Sequence, residues 1–156
     1  SALVHYHFNT KQDLLAAASE RLAARRTESR MVALSGASGL ATLDALWAAL
    51  SIGPGSETER AWNDLALLAR RDATVRRTLA AQRGVERAAF AQSLPRLFLD
   101  LGTAPTASWD ETAATVLLFL DGVALALTEE GAADEIRAAY DAFWLVLVAA
   151  GQARER

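Results

Sequence analysis

Two stretches in the C-terminal third are apolar nearly all round a helix. One is residues 113–127, where only Thr115, Asp121 and Gly122 depart from the pattern; the other is residues 142–150. A helix without a polar face has to be covered on both sides. In a chain of 156 residues the other helices can cover one side, and the cheapest cover for the second is another copy across a two-fold axis. Gly122 and Ala126, four apart, would let two helix backbones approach closely. The expected homodimer interface is therefore Thr115, Phe119, Gly122, Ala126, Phe143 and Leu147. The competing arrangement is a monomer with the 109–130 helix threaded through its centre. A membrane span is not expected, because a transmembrane helix needs roughly 20 apolar residues and Asp121 interrupts the longest run.

The rest of the chain is also helical in pattern, with no sustained alternation of period two. Three pairs read as capping boxes: Thr10 with Asp13, Ser56 with Glu59, and Ser108 with Glu111. Asp72 is a fourth N-cap. Between these signals the spacing predicts helices over about 11–34, 40–52, 57–71, 73–101, 109–130 and 132–150. Gly53-Pro54-Gly55 reads as a stop, and Pro95 should bend the fourth helix because its nitrogen cannot donate. Short connections between long helices predict a compact all-α bundle.

Composition narrows the chemistry. Cysteine is absent, which excludes a disulfide scaffold, a thiol nucleophile and thiolate metal sites. The only histidines are His5 and His7, so most triads and histidine-rich metal centres are excluded as well. No glycine-rich loop resembles a phosphate cradle, and acid pairs such as Asp110–Glu111 and Glu129–Glu130 sit at helix ends. No enzyme and no cofactor are expected. The N-terminus has no signal-peptide layout, so a cytoplasmic location is expected. Fifteen Arg against one Lys, with abundant Ala, fits a GC-rich bacterial genome. The chain opens on Ser1, inside what reads as a helix, and is expected to begin part-way through a longer protein.

Residues 1–15 carry the sharpest signal. They read as the last turns of a short helix, a break at Asn9, and a long helix capped by Thr10. Tyr6, His7, Thr10 and Lys11 can all donate at the junction, and the free N–H groups opening the long helix add partial positive charge there. That combination suits a phosphate. As a metal site His5-x-His7 is poor, since helical neighbours two apart point in different directions.

The run Tyr6-His7-Phe8-Asn9-Thr10-Lys11, followed by Leu14-Leu15, resembles the end of the DNA-binding domain of TetR-family transcriptional regulators. Their recognition helix closes on an aromatic–x–His–Phe run, then Lys and a Leu pair. Where members carry Tyr two residues before the His, this chain has His5, which keeps a donor there. The resemblance covers about 15 residues; beyond them it extends only to the number, order and length of the helices. It implies that residues 1–9 end a helix-turn-helix lying mostly before Ser1, and that residues 10–156 form a ligand-binding and dimerisation domain of the TetR C-terminal type. It also implies that His5, Tyr6, His7 and Lys11 contact operator phosphates, which position the protein without reading bases. In that arrangement the last two helices form the dimer's four-helix interface.

Charge is strongly segregated beneath a net −3. Residues 70–96 hold seven arginines and two acids, whereas residues 100–141 hold nine acids and only Arg137. The arginine-rich stretch reads as a solvated face paired with the acidic helices, with a second nucleic-acid surface as the alternative. Polar residues on apolar stripes mark a ligand site better than aromatics do, since burying one unpaired costs about 1–3 kcal/mol. Arg83 and Glu86 interrupt the stripe of Leu79, Phe90, Leu94 and Leu97; Gln82 lies beside it, and Asp121 breaks the fifth helix. Either these groups satisfy one another, as in an Asp121–Arg pair, or they line a cavity walled by Trp47, Trp62, Phe90 and Leu118. Such a cavity would take a mostly apolar small molecule. The function expected is a ligand-responsive, homodimeric TetR-like regulator that represses from operator DNA. The alternative is a helical small-molecule binding or dimerisation module with no DNA role.

Overall fold

Thr10 opens the first helix in extended backbone, and its hydroxyl accepts from the Asp13 N–H at 3.1 Å while the Asp13 carboxylate accepts from the Thr10 N–H at 3.0 Å. The computed structural model describes residues 10–128 and 133–153. From this cap α1 runs over Lys11–Gly36. Gly39, at φ +58°, turns the chain into α2, Leu40–Ser51. After α3 (Gly53–Ala69), Asp72 caps α4 (Ala73–Asp100) by accepting from the Thr74 and Val75 N–H groups. Ser108 and Glu111 close a second reciprocal box at the start of α5, Trp109–Ala126, and α6 spans Ala133–Ala149. Among the described residues there are thus six helices, in the predicted order, and one short strand pairing. That pairing is antiparallel, between β1 (Thr103–Ala104) and β2 (Gln152–Ala153), and ties the residues just after α6 to the α4–α5 connection. Among the described residues no helix is long and apolar enough to cross a membrane.

The start of α3 differs from the sequence reading. α3 begins at Gly53 rather than near Glu57, so Gly53-Pro54-Gly55 is its first turn and not a stop. Proline is tolerated there because the first N–H groups of a helix have no intrahelical partner. Ser56 and Glu59 therefore form no capping box: the Ser56 hydroxyl donates to the Gly53 carbonyl, and Glu59 is buried elsewhere. α4 continues through Pro95 to Asp100.

The apolar interior divides into two clusters. The larger takes Leu43, Leu46 and Leu50 of α2, Phe90, Leu94 and Phe98 of α4, Val116 and Leu120 of α5, and Tyr140 and Trp144 of α6. The smaller joins Ala23 of α1, Trp62 and Ala69 of α3, and Val75 and Leu79 of α4. Along α1, Arg26 and Arg30 fall between Ala23 of the small cluster and Ala33 of the large one. Along α4, Glu86 falls between Leu79 and Phe90 in the same way. A charged layer therefore separates the two apolar clusters.

Candidate functional site

α1 presents Ser19, Ala23, Arg26, Arg30, Ala33 and Leu34 to the interior, a stripe with helical spacing that includes two arginines. Both arginines are 1% exposed, and both use the same three nitrogens on the same three carboxylates. Arg26 donates through Nε to Glu59 Oε2 at 2.9 Å, through Nη1 to Glu86 Oε2 at 2.8 Å, and through Nη2 to Asp121 Oδ1. Arg30 repeats the pattern one turn on: Nε to Glu59 Oε1 at 2.8 Å, Nη1 to Glu86 Oε1 and Nη2 to Asp121 Oδ1, the last two at 3.3 Å. Four helices, α1, α3, α4 and α5, are tied at one point. The Trp62 ring lies under the Arg26 guanidinium, 4.5 Å from its centroid.

The electrostatics follow from this packing. Burial works against the charge on Arg26, but Glu59, Asp121 and Glu86 together outweigh it and hold the guanidinium above its ordinary range. For Glu86 burial dominates, and its carboxyl is raised despite Arg30 and Arg26. Two guanidiniums against three carboxylates leave the buried layer one positive charge short. Arg83, with its side chain half exposed, supplies that charge from the surface: its Nη2 stands 3.5 Å from Asp121 Oδ2, and its guanidinium 5.8 Å from the Trp62 centroid.

Above this layer a groove of about 320 Å³ opens between α4 and α5. Ala80, Gly84, Leu117 and Leu118 supply apolar wall, and Arg83, Glu86, Arg87 and Asp121 supply charge. Four residues expected at a ligand pocket, Arg83, Glu86, Leu118 and Asp121, are thus brought together. Trp62 adjoins them beneath Arg26, buried and without lining the groove. The remaining three lie elsewhere. Phe90 is fully buried in the large cluster, and Gln82 is half-buried on α4. Trp47 packs on Tyr140 and lines a separate cavity of about 410 Å³ with Leu50, Arg60 and Arg137. Of the two alternatives for Asp121 the structure shows the Asp–Arg pair, with Oδ1 bound by the buried arginines and Oδ2 facing Arg83, and the same side chain lines the groove.

Sequence reasoning passed over Arg26, Arg30 and Glu59. The adjacent Arg25 is exposed, whereas Arg26 is buried. The missed signal was Arg26 and Arg30 four apart in register with Ala23 and Ala33. Lys11 is exposed in the first turn of α1, and the expected phosphate contacts His5, Tyr6 and His7 lie outside the described residues. Of the expected interface, Thr115 and Gly122 are exposed, whereas Phe119, Phe143 and Leu147 are half-buried against the large cluster, with Phe119 and Phe143 stacked at 3.7 Å. Ala126 is half-buried. No protein-family model, curated protein or solved structure matches the chain.

Proposed function

We propose that this chain is the ligand-binding and dimerisation body of a TetR-like transcriptional repressor. In this reading a homodimer holds operator DNA through a helix-turn-helix that the resemblance puts ahead of residue 10, and a small, mostly apolar effector releases it in the cytoplasm. One observation carries the reading. The Tyr6–Lys11 and Leu14-Leu15 run leads directly into α1, and α1 then carries Arg26 and Arg30 into contact with α3, α4 and α5. A ligand that disturbs the charged layer would therefore act on the same rigid helix whose first turn holds Lys11. Effector release requires the ligand to favour the helix arrangement that fits DNA poorly, because only differential affinity shifts the equilibrium.

The test uses the protein expressed from its full reading frame. Selection from a random DNA pool should return an inverted repeat, as two-fold pairing of recognition helices requires. Lys11→Ala should weaken binding to every selected sequence and lower the slope of log affinity against log salt by about one. Failure to retain DNA at low salt would overturn the reading and leave a helical small-molecule binding module.

A further inference from the structure

We infer that the groove between α4 and α5 binds an organic monocation with an apolar body, its charged head taking the place of Arg83 against Asp121. The inference deepens the effector part of the proposed function and needs no DNA role.

Charge complementarity carries it. The buried Arg26, Arg30, Glu59 and Glu86, together with the partly exposed Asp121, set two guanidiniums against three carboxylates, and of these carboxylates Glu86 and Asp121 line the groove. Asp121 Oδ1 accepts from both buried arginines. Asp121 Oδ2 has Arg83 at 3.5 Å, beyond a good charge-assisted hydrogen bond, and the Asp121 side chain keeps 22% of its surface exposed. Arg83 is the weakest-held member of the layer, with half its side chain in solvent. Its guanidinium faces both a carboxylate and an indole, the two partners an organic cation prefers. A ligand head that copied this placement would keep the layer neutral and let Arg83 swing into water. Its body would lie on Ala80, Gly84, Leu117 and Leu118, where Leu118 is 69% exposed and gains most from cover. An anion is disfavoured, because it would meet Asp121 and Glu86, and Arg87, the second cation lining the groove, is already paired with Asp110 at 3.1 Å.

Octylguanidinium, octanol and octanoate share one tail and differ in head charge, and calorimetric titration of each into the chain gives the direct test. Octylguanidinium should bind at least about tenfold more tightly than either competitor, the scale of one charge-assisted contact. Arg83→Ala, which removes an exposed competitor, should tighten octylguanidinium binding several-fold and leave octanol unchanged. Asp121→Asn should bring octylguanidinium down to the octanol level, with circular dichroism confirming the fold. Should Asp121→Asn not fold, Arg83→Ala decides alone. Equal affinities for the three ligands, tighter octanoate, or weaker cation binding in Arg83→Ala would overturn the inference. Cation binding without DNA binding would remove the repressor reading only, and DNA binding without a cation preference would remove this inference only.

Discussion

Arg26 loses its hydration on burial and regains partners on three sides and a ring face, so its worth lies in what its removal leaves behind. Arg26→Ala would strand Glu59 and Glu86 in a site where Arg30 alone remains to balance them. Breaking a buried ionic group from one side costs about 3–5 kcal/mol, and urea unfolding of the variant should show a loss of that size. Glu86→Gln behaves differently, since the amide oxygen still accepts from Arg26 and the layer becomes neutral. The folded-state pKa of Glu86 is raised, so the folded protein binds its proton more tightly than the unfolded chain does. Its favourable contribution is complete below the ordinary glutamate range and is lost as pH rises through the raised value. Unfolding curves of wild type and Glu86→Gln from pH 4 to 8 should therefore diverge in favour of the variant as pH rises. A constant difference across that range would show that folding does not raise the Glu86 carboxyl. Asp121 was legible in the sequence because it breaks an apolar run. Arg26 and Arg30 were not, because a helical arginine is exposed by default and nothing local to α1 names the carboxylates that bury it.

The helices themselves were legible because their signals are local. Thr10 with Asp13 and Ser108 with Glu111 form reciprocal caps, and Asp72 caps α4, each deducible from residues three apart or fewer. Gly53-Pro54-Gly55 was misread because the same residues that end a helix also start one, and the choice is made by what they pack on. Here that partner is α2. A Cβ placed on Gly55 would lie 2.1 Å from the Ala49 carbonyl oxygen, which is backbone and cannot rotate away. Gly55→Ala should therefore cost about 1–3 kcal/mol, as forced overpacking does, with a matching fall in melting temperature. Gly84→Ala is the control on α4: nothing lies within 4 Å of its added Cβ, and in a helix interior it should gain about 0.5–1 kcal/mol. A Gly55→Ala variant as stable as wild type would mean that α2 and α3 do not meet so closely. The β1–β2 pairing gave no local sign, since two residues a side have no readable period.

At the scale of the whole molecule, the question is what covers α5 and α6. Each turns one face inward, through Val116 and Leu120 on α5 and Tyr140 and Trp144 on α6, and the Phe119–Phe143 stack joins them. Their outer faces still carry Leu118, Leu125, Leu145 and Val146, each at least 58% exposed. Apolar periodicity could announce that these helices are oversupplied, but it could not say which residues the chain covers itself. Phe119, Phe143 and Leu147 turned inward far enough to be half-buried, and Thr115 and Gly122 stayed outside. A dimer through these helices makes a separable prediction at Gly122, which has nothing of its own chain within 4 Å of an added Cβ. Gly122→Leu should leave the subunit folded, by circular dichroism and melting, while driving two closely packed helix faces apart. Light scattering at micromolar concentration should give twice the 16.7 kDa chain mass for wild type and a shift towards the single-chain mass for Gly122→Leu. Leu145→Glu should act in the same direction by charging the outer face of α6. A wild-type monomer under these conditions would refute pairing through α5 and α6. A dimer indifferent to both substitutions would move the two-fold axis to another face.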